Sequence, residues 1–189
     1  DHHKYGDYKP YLLKSTDRGK RWSNMASDLP DKHLVWRIVQ DHIDPELFFV
    51  GTEFGVFASI NGGENWHEIN GGIPTISTRD LAIQRRESDL VAATFGRGFY
   101  VLDDYSRLRN LDENDLKTDT LFPVKDAHWY FQRTILGSSP KASQGDAFYT
   151  AKNPPHGAVF HYHLKESHLG LKKTRQKEEK KLRKEGKAL

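Results

Sequence analysis

Two stretches of the chain set the same polar residues at the same spacing. STDRGKRW (15–22) and SINGGENW (59–66) open on Ser15 and Ser59, carry Asp17 and Asn61 two places on and Gly19 and Gly63 four places on, and close on Trp22 and Trp66. An acid repeated at a fixed place could serve acid–base chemistry. The second copy, however, puts a neutral amide there, which suits structural punctuation better. In a tight hairpin the Asp17 carboxylate can accept hydrogen bonds from N–H groups of its own turn, and the glycine takes positive φ without a Cβ clash. Each tryptophan is then expected to bury its ring against the turn and the sheet below. Asn61 keeps an acceptor oxygen but no charge, so its turn is expected to be held less firmly.

Other side chains could do chemistry. Glycoside hydrolysis needs two carboxyl groups about 5–10 Å apart across a cleft. The acids Glu53, Asp80, Asp103 and Asp104 are too many for their presence to mark such a pair, so no catalytic residue is assigned. His161 and His163 alternate along AVFHYHL (158–164) and share one strand face, a spacing that can serve a metal. No partner set accompanies them, so they read as strand residues, and neither metal nor cofactor is assigned. Arg97 lies between Gly96 and Gly98, where a guanidinium on a permissive loop can fork onto a carboxylate or sugar hydroxyls.

The elements that must position these residues repeat as well. Leu29-Pro30 and Gln40 recur as Ile73-Pro74 and Gln84 at the same 44-residue offset that separates Ser15 from Ser59. ELFFVGTEFGVF (46–57) aligns with DLVAATFGRGFY (89–100), one residue out of step. A period of roughly 40–50 residues is that of β-propeller blades. One unit supplies four strands: LVWRIVQD (34–41), LFFVGT (47–52), VFAS (56–59) and, after the box hairpin, WHEI (66–69). The third unit supplies RDLAIQ (79–84), DLVAAT (89–94) and GFYVLD (98–103), and then LDDYSRLR (102–109) offers neither the glycine nor the tryptophan of a box.

The S-x-D-x-G-x-x-W pattern on a blade period resembles the Asp-box, or bacterial-neuraminidase repeat, of sialidases, xyloglucanases and sortilin-like sorting receptors. YLLKSTDRGKRW, GTEFGVFAS, RDLAIQ and TFGRGFYVLDD are similar to the last blades of large exported bacterial proteins labelled glycosyl hydrolases with a sortilin-like propeller. LFPVKDAHWY and NPPHGAVFHYHLKE resemble that family's passage into a β-sandwich-like region. The resemblance implies an all-β partial propeller of two to three four-stranded blades. It also implies an extracellular or periplasmic location, the remaining blades of a parent chain as partners, and a binding or scaffold role toward a protein, peptide or glycan. The alternative it carries is part of a glycoside hydrolase whose carboxylates lie mostly elsewhere. In a propeller the loops between strands two and three surround the channel, opposite the box hairpins. That puts Glu53, Phe54 and Arg97 near a ligand.

The expected organisation is blades over residues 1–104, a connector over 105–152 with a closing strand at AHWYFQ (127–132), a β-sandwich-like start over 153–166, and a charged helical or disordered tail over 167–189. A helical turn capped by Asn110 or Asp112 fits NLDENDLK (110–117). The tail holds good helix formers and a Glu179–Arg183 pairing at i, i+4. Residues 165–189 carry ten Lys and Arg against four Glu, leaving 19 basic and 22 acidic residues in the body. The basic pI of 8.9 is therefore the tail's, and the body shows no nucleic-acid surface. The tail itself is expected to be a solvated helix or disordered extension rather than a nucleic-acid or membrane patch, so no nucleic-acid partner is expected. Cysteine is absent, which excludes disulfides and thiolate zinc sites. No apolar run reaches the roughly 18 residues of a membrane span, and DHHKYGDYKP (1–10) carries no signal peptide.

Overall fold

The computed structural model describes residues 2–111, 117–127, 129, 151, 154–166 and 170–186, in two compact units, Asp1–Leu111 and Asp112–Leu189. The first unit opens with a 3₁₀ turn (His2–Tyr5) and a hairpin of β1 (Leu13–Lys14) and β2 (Ser23–Asn24). Then follows an antiparallel sheet of β3 (Val35–Gln40), β4 (Phe48–Thr52), β5 (Gly55–Ser59) and β6 (His67–Glu68) in sequence order. β7 (Thr78–Gln84), β8 (Asp89–Thr94) and β9 (Phe99–Leu102) form a three-stranded antiparallel sheet. The strands are those predicted, and the expected all-β class holds at that level. Among the described residues they close neither a barrel nor a propeller.

Strand alternation explains the packing. β4 and β5 are buried on both faces, which is why FFVGT and GVFAS read as continuous apolar runs rather than alternating ones. Phe48, Val50 and Phe57 join Leu12, Met25, Leu29 and Trp66 in one core on the β1–β2 side. Leu47, Phe49, Val56 and Ala58 join Leu81, Leu90, Ala92 and Tyr105 in a second core on the β7–β9 side. Each fully buried Leu, Val or Phe contributes about 1.5–3 kcal/mol. Gly51 permits the second junction: a Cβ there would meet the Thr78 carbonyl oxygen at 2.7 Å.

The two boxes make equivalent hydrogen bonds. Gly19 N–H donates to Ser15 Oγ (2.7 Å) and Arg21 N–H to Asp17 Oδ1 (2.8 Å). Gly63 N–H donates to Ser59 Oγ (2.9 Å) and Asn65 N–H to Asn61 Oδ1 (3.0 Å). Asn61 adds a bond its acidic counterpart cannot make, from Nδ2 to Asn65 Oδ1 (2.9 Å), which offsets the missing charge. The tryptophans differ. Trp66 is 6% exposed, and its indole N–H donates to the Met25 carbonyl (2.7 Å). Trp22 is 62% exposed, so the expectation that both rings bury holds for the second copy only. Trp22 does turn its indole N–H onto Gly19 O (3.1 Å), but no described sheet lies beneath it.

In the third unit a 3₁₀ helix, Tyr105–Asn110, stands where a box was due, so the first compact unit runs past the expected boundary at residue 104. In the second unit β10 (Thr120–Leu121) pairs with β11 (Tyr162–His163), so only part of the strand predicted over 158–164 forms a ladder. Helix α1 spans Leu171–Lys184, and Glu179 pairs with Arg175 (3.1 Å) rather than with Arg183. Residues 112–116 of the predicted turn and most of AHWYFQ lie outside the described residues. No described helix is long and apolar enough to cross a membrane.

Candidate functional site

β-Bulges build the site. β3 is bulged between Val35 and Arg37, and β7 between Thr78 and Asp80, so Trp36 and Arg79 occupy the same place in successive units. A bulge re-aims its side chain out of the ladder. Here both residues turn toward each other, and the Arg79 guanidinium lies 3.7 Å from the Trp36 ring centroid. Their successors pair as well, Arg37 with Asp80 at 3.1 Å. The turns after β4 and β8 are equivalent too. Glu53 N–H donates to Leu34 O (3.0 Å) and Phe95 N–H to Ser77 O (2.8 Å).

Glu53 organises the cluster. Its Oε2 accepts from Trp36 Nε1 (2.8 Å) and Ser77 Oγ (3.1 Å) and lies 3.8 Å from Arg79 Nη2. The other oxygen, Oε1, accepts no hydrogen bond among the described residues. Trp36 is covered on a further side by the His3 ring, edge-on at 5.4 Å. It therefore positions Arg79 and offers little platform of its own. The open apolar surface comes from Phe95, 68% exposed and 5.4 Å from the Arg79 guanidinium, and from Phe54, 42% exposed against His33. A half-exposed guanidinium, a free carboxylate oxygen and two aromatic rings can hold a polar ligand and stack on it.

Glu53 and Phe54, singled out from sequence, thus lie in this cluster. Arg97 does not. It stands exposed between Gly96 (φ 81°) and Gly98 (φ 74°), with no hydrogen-bond or ion-pair partner among the described residues. Arg79 holds the place that reasoning from glycine-flanked loops gave to Arg97. Aligning the two bulges, with Trp36 opposite Arg79 and Arg37 opposite Asp80, is the signal that finds it. The box residues Ser15, Asp17, Ser59 and Asn61 bond within their own hairpins. The second box sits at the other end of the strands, since Ser59 pairs with Phe48 whereas Gly55 pairs with Thr52.

The acids divide between the two ends. Asp80 lies opposite Ala93, near Glu53, whereas Asp103 lies by Asp89, four residues along β8. At about 3.3 Å per residue that is about 13 Å, beyond either glycosidase spacing. Burial, then the charge of Asp89, raises the Asp103 carboxyl. Asp104 instead caps the 3₁₀ helix, accepting from Ser106 Oγ (2.5 Å). No cluster of three or more metal-binding side chains occurs among the described residues.

The strongest electrostatic feature is one the sequence reading passed over. Asp41, fully enclosed at the end of β3, accepts from Tyr105 Oη (2.6 Å), from Arg109 Nε and Nη2 (2.7 and 2.9 Å), and from the N–H groups of Ile43 and Asp44 (3.1 and 2.8 Å). Arg109 also donates to Ser88 Oγ (3.0 Å). Burial by itself would raise the Asp41 carboxyl, but Arg109, Tyr105 and the two backbone donors together hold it well below the usual carboxylate range. Burial, then the bond to Asp41, pushes the Tyr105 phenol up. This saturated clasp ties the third sheet to the second. Both Asp41 carboxylate oxygens are engaged and the side chain is fully enclosed, so the carboxylate is closed to a ligand.

No protein-family model, no curated protein and no solved structure matches the chain.

Proposed function

We propose that the chain is a segment of an exported Asp-box, sortilin-like β-propeller protein, and that it recognises a peptide, protein or glycan without transforming it. The supporting observation is the Arg79–Trp36–Glu53 cluster with Phe54 and Phe95 around it, at the strand ends opposite the second box. The ligand's carboxylate or hydroxyls would meet Arg79 and Glu53 Oε1, and its apolar faces Phe95 and Phe54. The second box fastens its hairpin to the preceding core through Trp66, the first would do the same against a further blade, and further blades of the parent chain would complete the ring. Hydrolysis is disfavoured because Glu53 is committed to Trp36 and Ser77, Asp80 to Arg37, and Asp103 and Asp104 stand at the far end by Asp89. The test is binding and turnover on a panel of oligosaccharides and short peptides. Retention of a ligand that Arg79→Ala abolishes, without product, supports recognition. Turnover lost in Glu53→Gln or Asp80→Asn with folding intact establishes the glycoside hydrolase instead.

A further inference from the structure

Helix α1 segregates its charges. At 100° per residue, Lys172 and Arg183 fall on one flank, Lys173, Lys177, Lys180 and Lys184 along the centre, and Lys181 on the other flank, an arc of about 180° free of acids. Both glutamates within the helix, Glu178 and Glu179, and both leucines, Leu171 and Leu182, occupy the opposite side. The one basic residue on that side, Arg175, is neutralised by Glu179. The seven on the basic arc are exposed, and no hydrogen bond or ion pair joins their side chains to the described residues. The N-terminus adds to this. Gly170 supplies no side-chain cap, the first turn holds no acid, and Lys172 and Lys173 stand at the positive end of the helix dipole. Such a helix is more stable when an anion lies along it.

We infer that this face of α1 binds the phosphate backbone of double-stranded DNA without regard to sequence. The width of the arc decides among polyanions. An interfacial membrane helix needs an apolar face to bury, and the side opposite the lysines offers only Leu171 and Leu182 beside Glu178 and Glu179. A groove has two phosphate walls about 12 Å apart in B-form DNA, and a helix about 10–12 Å across presents flanking and central cations to both. Six of the arc's seven cations are lysines, compact point charges suited to phosphate, and no aromatic ring accompanies them to stack on bases, so contacts are chiefly to the backbone. The solvated tail expected from sequence becomes a docking face once its charges are seen to be sorted.

The test uses the full chain, titrated into fluorescently labelled 20-base-pair DNA duplexes of two unrelated sequences, with an RNA duplex, whose major groove is deep and narrow, as the weaker-binding comparison. Expected is sequence-independent binding at 50 mM salt that weakens steeply by 200 mM, the slope of log K against log salt approaching −6 at most for seven contacts. Replacing Lys173, Lys177, Lys180 and Lys184 by Gln, which preserves helix propensity, should cut affinity at least tenfold and flatten the slope. Arg175→Gln should change it less than twofold. Helix content by circular dichroism should rise on duplex addition and should be retained in the four-lysine variant. No duplex binding at 50 mM salt overturns the inference, as does binding that the four-lysine variant keeps. So does tighter capture by vesicles containing anionic lipid, or by a sulfated oligosaccharide, than by duplex.

Discussion

Removing the Arg109 guanidinium is the sharpest perturbation of the first unit. Asp41 has no solvent exposure, and Arg109 supplies two of its charge-assisted bonds. Arg109→Met leaves a buried carboxylate without its guanidinium, with only the His42 imidazole (3.3 Å) beside it to carry charge when protonated, at a cost of about 3–5 kcal/mol. Tyr105→Phe deletes one bond to the same charge, at about 1.5–3 kcal/mol. Against a domain stability of about 5–15 kcal/mol, the first should displace the urea midpoint far more than any surface change. The pH dependence follows from the depressed carboxyl. The folded value lies below the reference 3.8, so the unfolded chain binds the extra proton. The contribution is complete above about pH 5 and is lost as pH falls through 3.8 toward the folded value, by up to about 1.4 kcal/mol per pH unit. Urea unfolding followed by tryptophan fluorescence at pH 3, 4, 5 and 7 measures both effects. Other carboxylates add their own slopes, so the informative quantity is wild type minus Asp41→Asn. A difference that stays flat from pH 5 to pH 3, together with an Arg109→Met midpoint near wild type, would refute the clasp as a stabilising element.

Further outcomes follow from the sheet junctions. Gly51→Ala drives a Cβ against the Thr78 carbonyl, a backbone atom that cannot swing aside, and should cost about 1–3 kcal/mol by urea unfolding. Trp66→Ala empties a core position and loses the bond to Met25 O, at about 3–5 kcal/mol, whereas Trp22→Ala on an exposed ring should cost about 1 kcal/mol or less. Equal costs for the two would show that the boxes fasten sheets in some other way.

The strands were legible because their signals are local: β-branched and aromatic runs bounded by glycine, proline or a box. The doubly buried β4 and β5 announced themselves as unbroken apolar runs. The clasp was not legible, because Asp41 and Arg109 are 68 residues apart and neither belongs to a periodic pattern. LDDYSRLR was read for what it lacks, a glycine and a tryptophan, while its Tyr105 fills the second core and its Arg109 closes on Asp41. Of the site, Glu53 and Phe54 were found from loop placement, whereas Arg79 needed the register of two bulges. A bulge shifts the alternation by one residue, and composition does not record it. The contrast between Trp22 and Trp66 was likewise invisible, since equivalent boxes bury their rings only where a neighbouring sheet lies beneath.

The central claim is that Arg79, held by Trp36 and Glu53, is the recognition group. Isothermal titration of the tightest panel ligand into wild type, Arg79→Ala and Arg97→Ala tests it most directly. Loss of tenfold or more in affinity for Arg79→Ala, with Arg97→Ala within twofold of wild type and both folded, is the expected result. The reverse order, or equal affinity in all three, contradicts it.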